Sequence, residues 1–210
     1  DDYQIDLPEM LTQLTHLDIS NCDVNKIPNS YNLKHLKLNN TNIITISDKF
    51  TNIEHLEIIN ERYITIIPDT YSNLKILVLN NTQIIHLSDK LINLRKLNIA
   101  QQVRITIADT LLLIELDIDL MNFQRLSKKY TKLQKLKING YSEYEIERNE
   151  EIVIPETFIN LKNLTIKHNE PVFLSDKLIN LENLTVTYPI GTTYAHYKKL
   201  KHLDITASVK

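Results

Sequence analysis

A short apolar signature, L-x-x-L-x-L with Leu, Ile and Val interchangeable, recurs along almost all of this 210-residue chain. Its ten copies begin at Leu14, Leu33, Ile53, Leu74, Leu94, Leu113, Leu133, Leu161, Leu181 and Leu200. Successive copies start about twenty residues apart, except for the longer interval from Leu133 to Leu161. A fixed period of this length is typical of a solenoid, in which each repeat buries its apolar face against its neighbours. The sequence therefore predicts a stacked array of repeats.

The repeat at 82–101 shows what each unit contains. Its apolar residues alternate over 94–99, which indicates a short strand. Those over 84–91 are three and four residues apart, which indicates a single helical or 3₁₀ turn, because so short a repeat has no room for a longer helix. We predict a β-rich α/β fold: a right-handed curved solenoid with about ten parallel strands on its concave side. Turns, 3₁₀ segments or single helical turns are expected on the convex side.

The segments on the convex side come in two alternating forms. One reads I-P-x-x-aromatic, at 27–31, 67–71 and 154–158, and the other reads L/I-S-D-K-apolar, at 46–50, 87–91 and 174–178. The proline suits the first position of a helical turn, and the serine suits its cap. The alternation indicates duplication of a unit of two repeats.

The chain resembles the leucine-rich-repeat proteins, whose pattern is L-x-x-L-x-L-x-x-N/C/T-x-L. It reads L-T-H-L-D-I-S-N-C-D-V at 14–24, L-K-H-L-K-L-N-N-T-N-I at 33–43 and L-K-I-L-V-L-N-N-T-Q-I at 74–84. The repeat length is similar to that of the short-repeat branch typified by secreted bacterial effectors. In the family, the ninth residue bonds inward to the backbone where the strand ends. Repeats that depart from the pattern there are expected to be less regular, at Glu61, Gln102, Met121 and Tyr141.

We expect a single leucine-rich-repeat solenoid domain over 1–210, compatible with a place in a longer chain. The long interval inserts about 140–151, an acidic stretch that contains Tyr141 and Tyr144. It is expected to bulge from the coil, either as a tolerated surface insertion or as a binding element that uses the two tyrosines.

The residues between the apolar strand positions form ladders on the concave face. Opposite charges neighbour one another there, as at Asp18 and Lys37 or at Asp117 and Lys137. Such exposed pairs each contribute only about a few tenths of a kcal/mol. Because the charges neutralise one another and aromatic residues are not interleaved with them, this face is not predicted to bind nucleic acid.

One part of the concave face is apolar where polar residues would keep it soluble. Ile59, Ile76 and Val78 lie on neighbouring predicted strands, with Ala100 beside them. The rim of this cluster is predicted to comprise His55, Glu57, Lys96 and Asn98. An apolar cluster with a polar rim is typical of a protein-binding surface. The alternative is local stickiness without a function.

His16, His35 and His55 form a row at the start of the same face. Three imidazoles could converge on a metal ion, but they lie along a line and no cysteine or carboxylate completes the set. Partly exposed, uncharged ladder residues are the simpler interpretation. A pH-sensitive face is the remaining one, because protonation would place repelling charges side by side.

No sequence motif for catalysis is present. With two glycines the chain has no phosphate-binding loop, and it carries no G-x-S-x-G, H-E-x-x-H or C-x-x-C motif. Cys22 is close in sequence to His16, but its place in the inward ladder predicts a small buried residue and not a nucleophile. We therefore predict no enzyme activity and no cofactor.

Composition constrains the partners and the compartment. The net charge is −2, from 24 basic and 26 acidic residues that are closely mixed, and no apolar run is long enough to cross a membrane. A single cysteine favours a reducing compartment, so we predict the cytoplasm, with secretion or the cell surface as alternatives. The predicted function is a non-catalytic scaffold that binds an unidentified protein partner. The alternatives are the leucine-rich-repeat domain of a secreted effector or surface receptor in host or immune recognition, and a spacer without a ligand.

Overall fold

The computed structural model describes residues 5–29, 32–100, 104–140, 152–167, 172–187 and 194–206. The chain divides into two compact units, which we call unit 1 (Asp1–Leu111) and unit 2 (Leu112–Lys210). Each consists of parallel strands that pair with the strand of the next repeat. The predicted fold class, a β-rich solenoid of the leucine-rich-repeat kind, is confirmed.

Unit 1 carries five long strands and two short ones within its described residues. The long strands are β1 (His16–Ser20), β2 (His35–Asn39), β3 (His55–Ile59), β4 (Ile76–Asn80) and β6 (Lys96–Ala100). The short strands, β5 (His86–Leu87) and β7 (Thr106–Ile107), pair with each other in a separate small sheet.

Unit 2 has the same plan with more interruptions. Its described strands are β8 (Glu115–Asp119), β9 (Lys135–Asn139), β10 (Ile152–Val153), β11 (Asn163–Lys167), β12 (Val172–Phe173), β13 (Asn183–Val186) and β14 (His202–Ile205). The helical elements of the described ranges are one α-turn, α1 (Leu120–Phe123), and one 3₁₀ turn, η1 (Tyr194–His196). The predicted insertion, with Tyr141 and Tyr144, lies outside the described residues apart from Gly140.

Alternation of buried and less buried residues along the long strands builds the core, as the pattern predicts, except in β14, which is exposed throughout. In β2, Leu36 and Leu38 are buried, whereas the residues between and beside them are only half-buried. The registers place equivalent residues opposite one another, for example Leu36 opposite Leu56 and Leu38 opposite Ile58. Stacking these leucines and isoleucines from coil to coil gives each unit a continuous apolar interior, which supplies most of its stability.

The segments opposite the long strands are mostly tight turns, one of the forms predicted for the convex side. The Phe50 N–H donates to the Ser47 carbonyl at 3.4 Å, and the Ile53 N–H donates to the Phe50 carbonyl at 3.2 Å. The predicted cap Ser47 accepts through its Oγ from the Lys49 N–H at 3.3 Å, as a turn-forming serine does. Two consecutive turns reverse the chain in fewer residues than a helix would need.

Hydrogen bonds between coils explain why the two forms of turn alternate. The Tyr71 hydroxyl, which is buried, donates to the Ser47 carbonyl at 2.8 Å. The Thr70 Oγ1 donates to the Asp48 carbonyl at 2.6 Å. In unit 2 the Tyr197 hydroxyl makes the equivalent bond to the Ser175 carbonyl at 3.1 Å. The I-P-x-x-aromatic turn at 67–71 therefore supplies donors that satisfy carbonyl groups of the preceding S-D-K turn, and Tyr197 does the same from a turn without that motif.

Candidate functional site

The predicted apolar cluster lies on the exposed face of β3, β4 and β6 in unit 1, which we call the strand face. The strand registers arrange nine residues as a grid of three rows. The rows are His55–Ile76–Lys96, Glu57–Val78–Asn98 and Ile59–Asn80–Ala100. All eight residues predicted for this site are therefore neighbours in the grid, and Asn80 is a ninth that the prediction omitted.

The grid residues are partly exposed and lie over a completely buried layer of the core. Ile59, Ile76, Val78 and Ala100 are half-buried, and Lys96 is exposed at one edge. The strand residues that alternate with them, such as Leu77 and Leu79, are completely buried. The backbone under the grid is therefore fixed by the core, and the apolar side chains stand on a rigid support.

Asn80 occupies the middle of the third row, between Ile59 and Ala100. Its backbone carbonyl accepts from the Asn60 N–H at 2.8 Å. Its side-chain Oδ1 is buried and has no hydrogen-bond partner within the described part of the chain. A buried amide oxygen without a donor is costly, so this position favours a donor brought by another molecule or by solvent. The sequence could have indicated Asn80, because a residue two positions after Val78 lies on the same face of the strand.

The histidine row runs along the strand starts of β1, β2 and β3. The rings of His16 and His35 are stacked, with centroids 4.1 Å apart and planes 10° from parallel. The His35 and His55 rings meet edge to face at 5.6 Å. His55 Nε2 also lies 3.0 Å from Glu57 Oε1. The row therefore reaches the first corner of the grid.

This geometry is unsuited to metal chelation. The nitrogen lone pairs of an imidazole lie in the ring plane, so those of two stacked, parallel rings point side by side and do not converge. No group of three or more histidine, cysteine or carboxylate side chains that could hold a metal ion occurs within the described ranges. Cys22, which the sequence predicts to be buried, is half-buried and donates its thiol to the Ser20 carbonyl at 3.1 Å.

The predicted charge pairs form within each unit. Lys37 Nζ lies 2.9 Å from Asp18 Oδ2, and Lys137 Nζ lies 2.8 Å from Asp117 Oδ2. The Lys37 hydrogen bond holds the pKa of the Asp18 carboxyl below its usual range, with help from Ser20. These lysines are therefore already neutralised by a neighbouring strand.

Three strongly exposed isoleucines of unit 1 lie off the strand face, and sequence reasoning missed them. Ile44, Ile66 and Ile85 are 63%, 71% and 61% exposed. They recur in successive coils, in the stretch that leads from a strand to the following turn. We call them the flank row. The sequence could have indicated them, because each adjoins an inward-facing isoleucine, at 43, 67 and 84 respectively.

Comparison with known proteins supports the fold. No protein-family model matches the chain, and no curated protein matches it by sequence. Among solved structures it is similar to an internalin from Listeria monocytogenes, with a TM-score of 0.53 and 17% identity. That match covers 94% of this chain and 68% of the internalin chain. At this identity the likeness establishes a shared solenoid fold.

The helices that the structure describes are all short. None of those within the described ranges is long and apolar enough to cross a membrane.

Proposed function

We propose that this chain is a leucine-rich-repeat protein of the short-repeat type that binds a protein partner through the strand face of unit 1, without catalysing a reaction. The observation that carries the proposal is the nine-residue grid. Ile76 and Val78 occupy adjacent strand-face positions of β4, with Ile59 diagonal to Val78. Half-buried apolar side chains with a polar rim are the arrangement from which protein-binding hot spots are built.

The rigid support favours binding. A partner that docks on the grid does not have to order a loop, because Leu77 and Leu79 hold β4 in the core. The entropic cost of association is correspondingly small. His55, Glu57 and Lys96 place both signs of charge around the apolar residues, which favours a protein surface of mixed charge over a polyanion. Nucleic acid is not proposed as a partner, because Lys37 and Lys137 are paired with carboxylates.

A double substitution tests the grid. Partners captured from cell extract with the parent protein are identified, and their binding to Ile76→Asp with Val78→Lys is then measured. Two charges at the centre of the grid should abolish binding while the fold persists, because both positions are on the surface. Circular dichroism and thermal unfolding check the fold.

The flank row supplies the matched control. Ile66→Asp with Ile85→Lys makes the same chemical change on residues that are more exposed and lie off the strand face. This variant should bind as the parent does. If instead it loses the partner and the grid variant keeps it, the interface is the flank row and the proposal is wrong.

For the compartment we propose the reducing cytoplasm, on the basis of the single cysteine. The alternative is the leucine-rich-repeat domain of a secreted effector or surface receptor in host or immune recognition. The same capture experiment separates the two, because a cytoplasmic scaffold should retain cytoplasmic proteins and a secreted domain should retain surface proteins.

A further inference from the structure

The ring contacts within the histidine row, which runs along β1, β2 and β3, depend on the charge states of the three imidazoles. His35 is half-buried and lies between the other two imidazoles, stacked on His16 at 4.1 Å and edge to face with His55 at 5.6 Å. Neutral imidazoles pack in this way as other aromatic rings do. Two protonated rings in contact would place like charges at the same short distance, where they repel each other.

The charged groups around the row do not neutralise the repulsion between protonated rings. Those that face it from the strands and the residues just before them are Asp18, Lys34, Lys37, Glu54 and Glu57. Asp18 is paired with Lys37 at 2.9 Å, and Glu54 with Lys75 at 2.5 Å. Glu57 lies beside His55 at the end of the row, with its Oε1 3.0 Å from His55 Nε2, so it is placed to pair with His55 and not with the central ring.

His35 has no such carboxylate contact among the described residues. Burial lowers its pKa below the ordinary value of 6.5, and the neighbouring imidazoles of His16 and His55 lower it further. Glu54 acts in the opposite direction, and Lys34 adds to the lowering. The folded state thus favours a neutral His35.

We propose that the histidine row is a pH-sensitive element of the binding face, stacked near neutral pH and opened by mild acid. His55 is also a corner of the grid, opposite Ile76. Opening the stack moves this imidazole and leaves a charge beside the apolar residues, which a partner would have to desolvate. Partner binding should therefore weaken as the pH falls below the histidine range. This last step rests on the proposed function, whereas opening of the stack does not.

The free energy of unfolding should also fall as the pH is lowered through the histidine range. Because the pKa of His35 is lowered in the folded state, the unfolded chain takes up the proton more readily. The stacked row therefore contributes its full stability above the ordinary pKa of 6.5. That contribution is lost as the pH falls from 6.5 through the lower folded-state pKa.

Histidine side-chain NMR between pH 8 and 5 tests the stack directly on the full chain. We expect His35 to titrate below its ordinary value of 6.5, and the contact between the His16 and His35 rings to disappear as His35 takes up its proton. If His35 titrates at its ordinary value and the ring contact persists at pH 5, the proposal is wrong.

The substitution His35→Phe separates charge from packing, since it keeps an aromatic ring and removes the titrating group. The fall in thermal midpoint between pH 7.5 and 5.5 should be smaller in this variant than in the parent, and unchanged in the control His86→Phe. An undiminished fall in His35→Phe would overturn the inference even if that variant is less stable overall.

Partner capture at pH 7.5 and 5.5 distinguishes the grid proposal from the pH proposal. If Ile76→Asp with Val78→Lys abolishes capture and the parent binds equally well at pH 7.5 and 5.5, the grid proposal holds and the pH proposal fails. If His35→Phe removes a loss of binding seen in the parent at pH 5.5, the pH proposal is supported. If the stack opens but the grid variant still binds, the proposed function fails and the pH-sensitive row stands as a property of the fold.

Discussion

The two units differ in the turns that follow several of their long strands. In unit 1, the first four long strands are each followed by an asparagine with left-handed backbone, at Asn21, Asn40, Asn60 and Asn81, with φ between 51° and 54°. In unit 2, β8 runs directly into α1, which begins at Leu120, and β9 is followed by Gly140 and the long insertion. The long strands of both units pair in parallel with equivalent residues opposite one another, so the turn is where these coils differ.

The asparagines of unit 1 stabilise that turn in two ways. Asparagine tolerates the left-handed region better than other residues with a Cβ, because its short side chain can bond locally. Here the amides also bond between coils: Asn40 Nδ2 donates to Asn21 Oδ1 at 3.2 Å, and Asn81 Nδ2 donates to Asn60 Oδ1 at 3.0 Å. A repeated residue type thus keeps the turn identical from coil to coil.

Unit 2 shows that a coil keeps its strand when the turn changes. The Gly140 N–H donates to the Lys167 carbonyl at 2.7 Å, a bond equivalent to that from the Asn60 N–H to the Asn80 carbonyl. Asp119 caps α1 by accepting from the Asn122 N–H at 2.9 Å. The comparison teaches that the strand and the turn are specified separately, and that insertions enter through the turn.

The largest expected effect concerns α1, which takes the place of the asparagine turn. Phe123 is 6% exposed, so Phe123→Ala should lower the free energy of unfolding by about 3–5 kcal/mol, as cavities left by buried aromatic residues do. Met121→Ala, on the half-buried side of α1, should cost clearly less. Denaturant unfolding measures both. A loss under about 1 kcal/mol for Phe123→Ala would mean that α1 is peripheral and that the units differ less than described.

An intermediate effect is expected at the asparagine turn. Asn60→Ala should cost about 1–2 kcal/mol, because alanine has to adopt the left-handed conformation and the amide bonds are lost. Asn60→Gly loses the same bonds but adopts that conformation freely, so it should be the milder change. Thermal unfolding of the two variants separates the cost of the left-handed backbone conformation from the loss of the side-chain amide bonds. Equal losses would show that the amide ladder, and not the backbone conformation, is the important part.

The smallest effect is a pH dependence at Glu61, the inward residue of the third repeat. Its side chain is completely buried; Oε1 accepts from the Thr41 N–H at 2.9 Å and from Thr41 Oγ1 at 3.0 Å, but Oε2 has no partner among the described residues. Burial raises the pKa of this carboxyl above its ordinary value of 4.5, against the two bonds from Thr41.

The raised pKa of Glu61 makes the folded state favour the protonated carboxyl. Stability from this group is therefore complete below pH 4.5 and is lost as the pH rises through the folded-state pKa. Glu61→Gln should remove this part of the pH dependence. Its stability relative to the parent should rise between pH 5 and 8, as measured by denaturant unfolding. Glu57→Gln, on the strand face, is the control. A variant whose stability runs parallel to the parent over this range would contradict the prediction.

The repeat was sufficient to predict the strands and their ladders. Because side chains alternate along a strand and the repeats stack in register, the spacing of Leu36, Leu56 and Leu77 placed them in the interior, and it also placed His16 beside His35. The predicted irregularity of the third repeat at Glu61 is wrong: Asn60 keeps the same turn as its neighbours, and the glutamate reaches inward. The sixth repeat does depart from the pattern, since Met121 lies in α1.

The remaining features needed three-dimensional contacts. The sequence does not distinguish a serine that caps a helical turn from one that forms a tight turn, because both accept a nearby backbone N–H. Exposure within the apolar residues was also unpredictable: Ile76 is half-buried on the strand face, whereas Ile66 is 71% exposed on the flank. Their surroundings come from other coils, which a single repeat does not reveal.

The sequence alone determined that this protein is a solenoid, which residues face inward, and which form ladders on the exposed face, since all three follow from a period of twenty combined with the two-residue period of a strand. The tertiary structure decided how ladder neighbours meet. Whether His16 and His35 stack, and whether Asn80 Oδ1 finds a donor, depends on side-chain rotations and on packing between coils. Those contacts, and not the repeat, carry the proposed binding face and its response to pH.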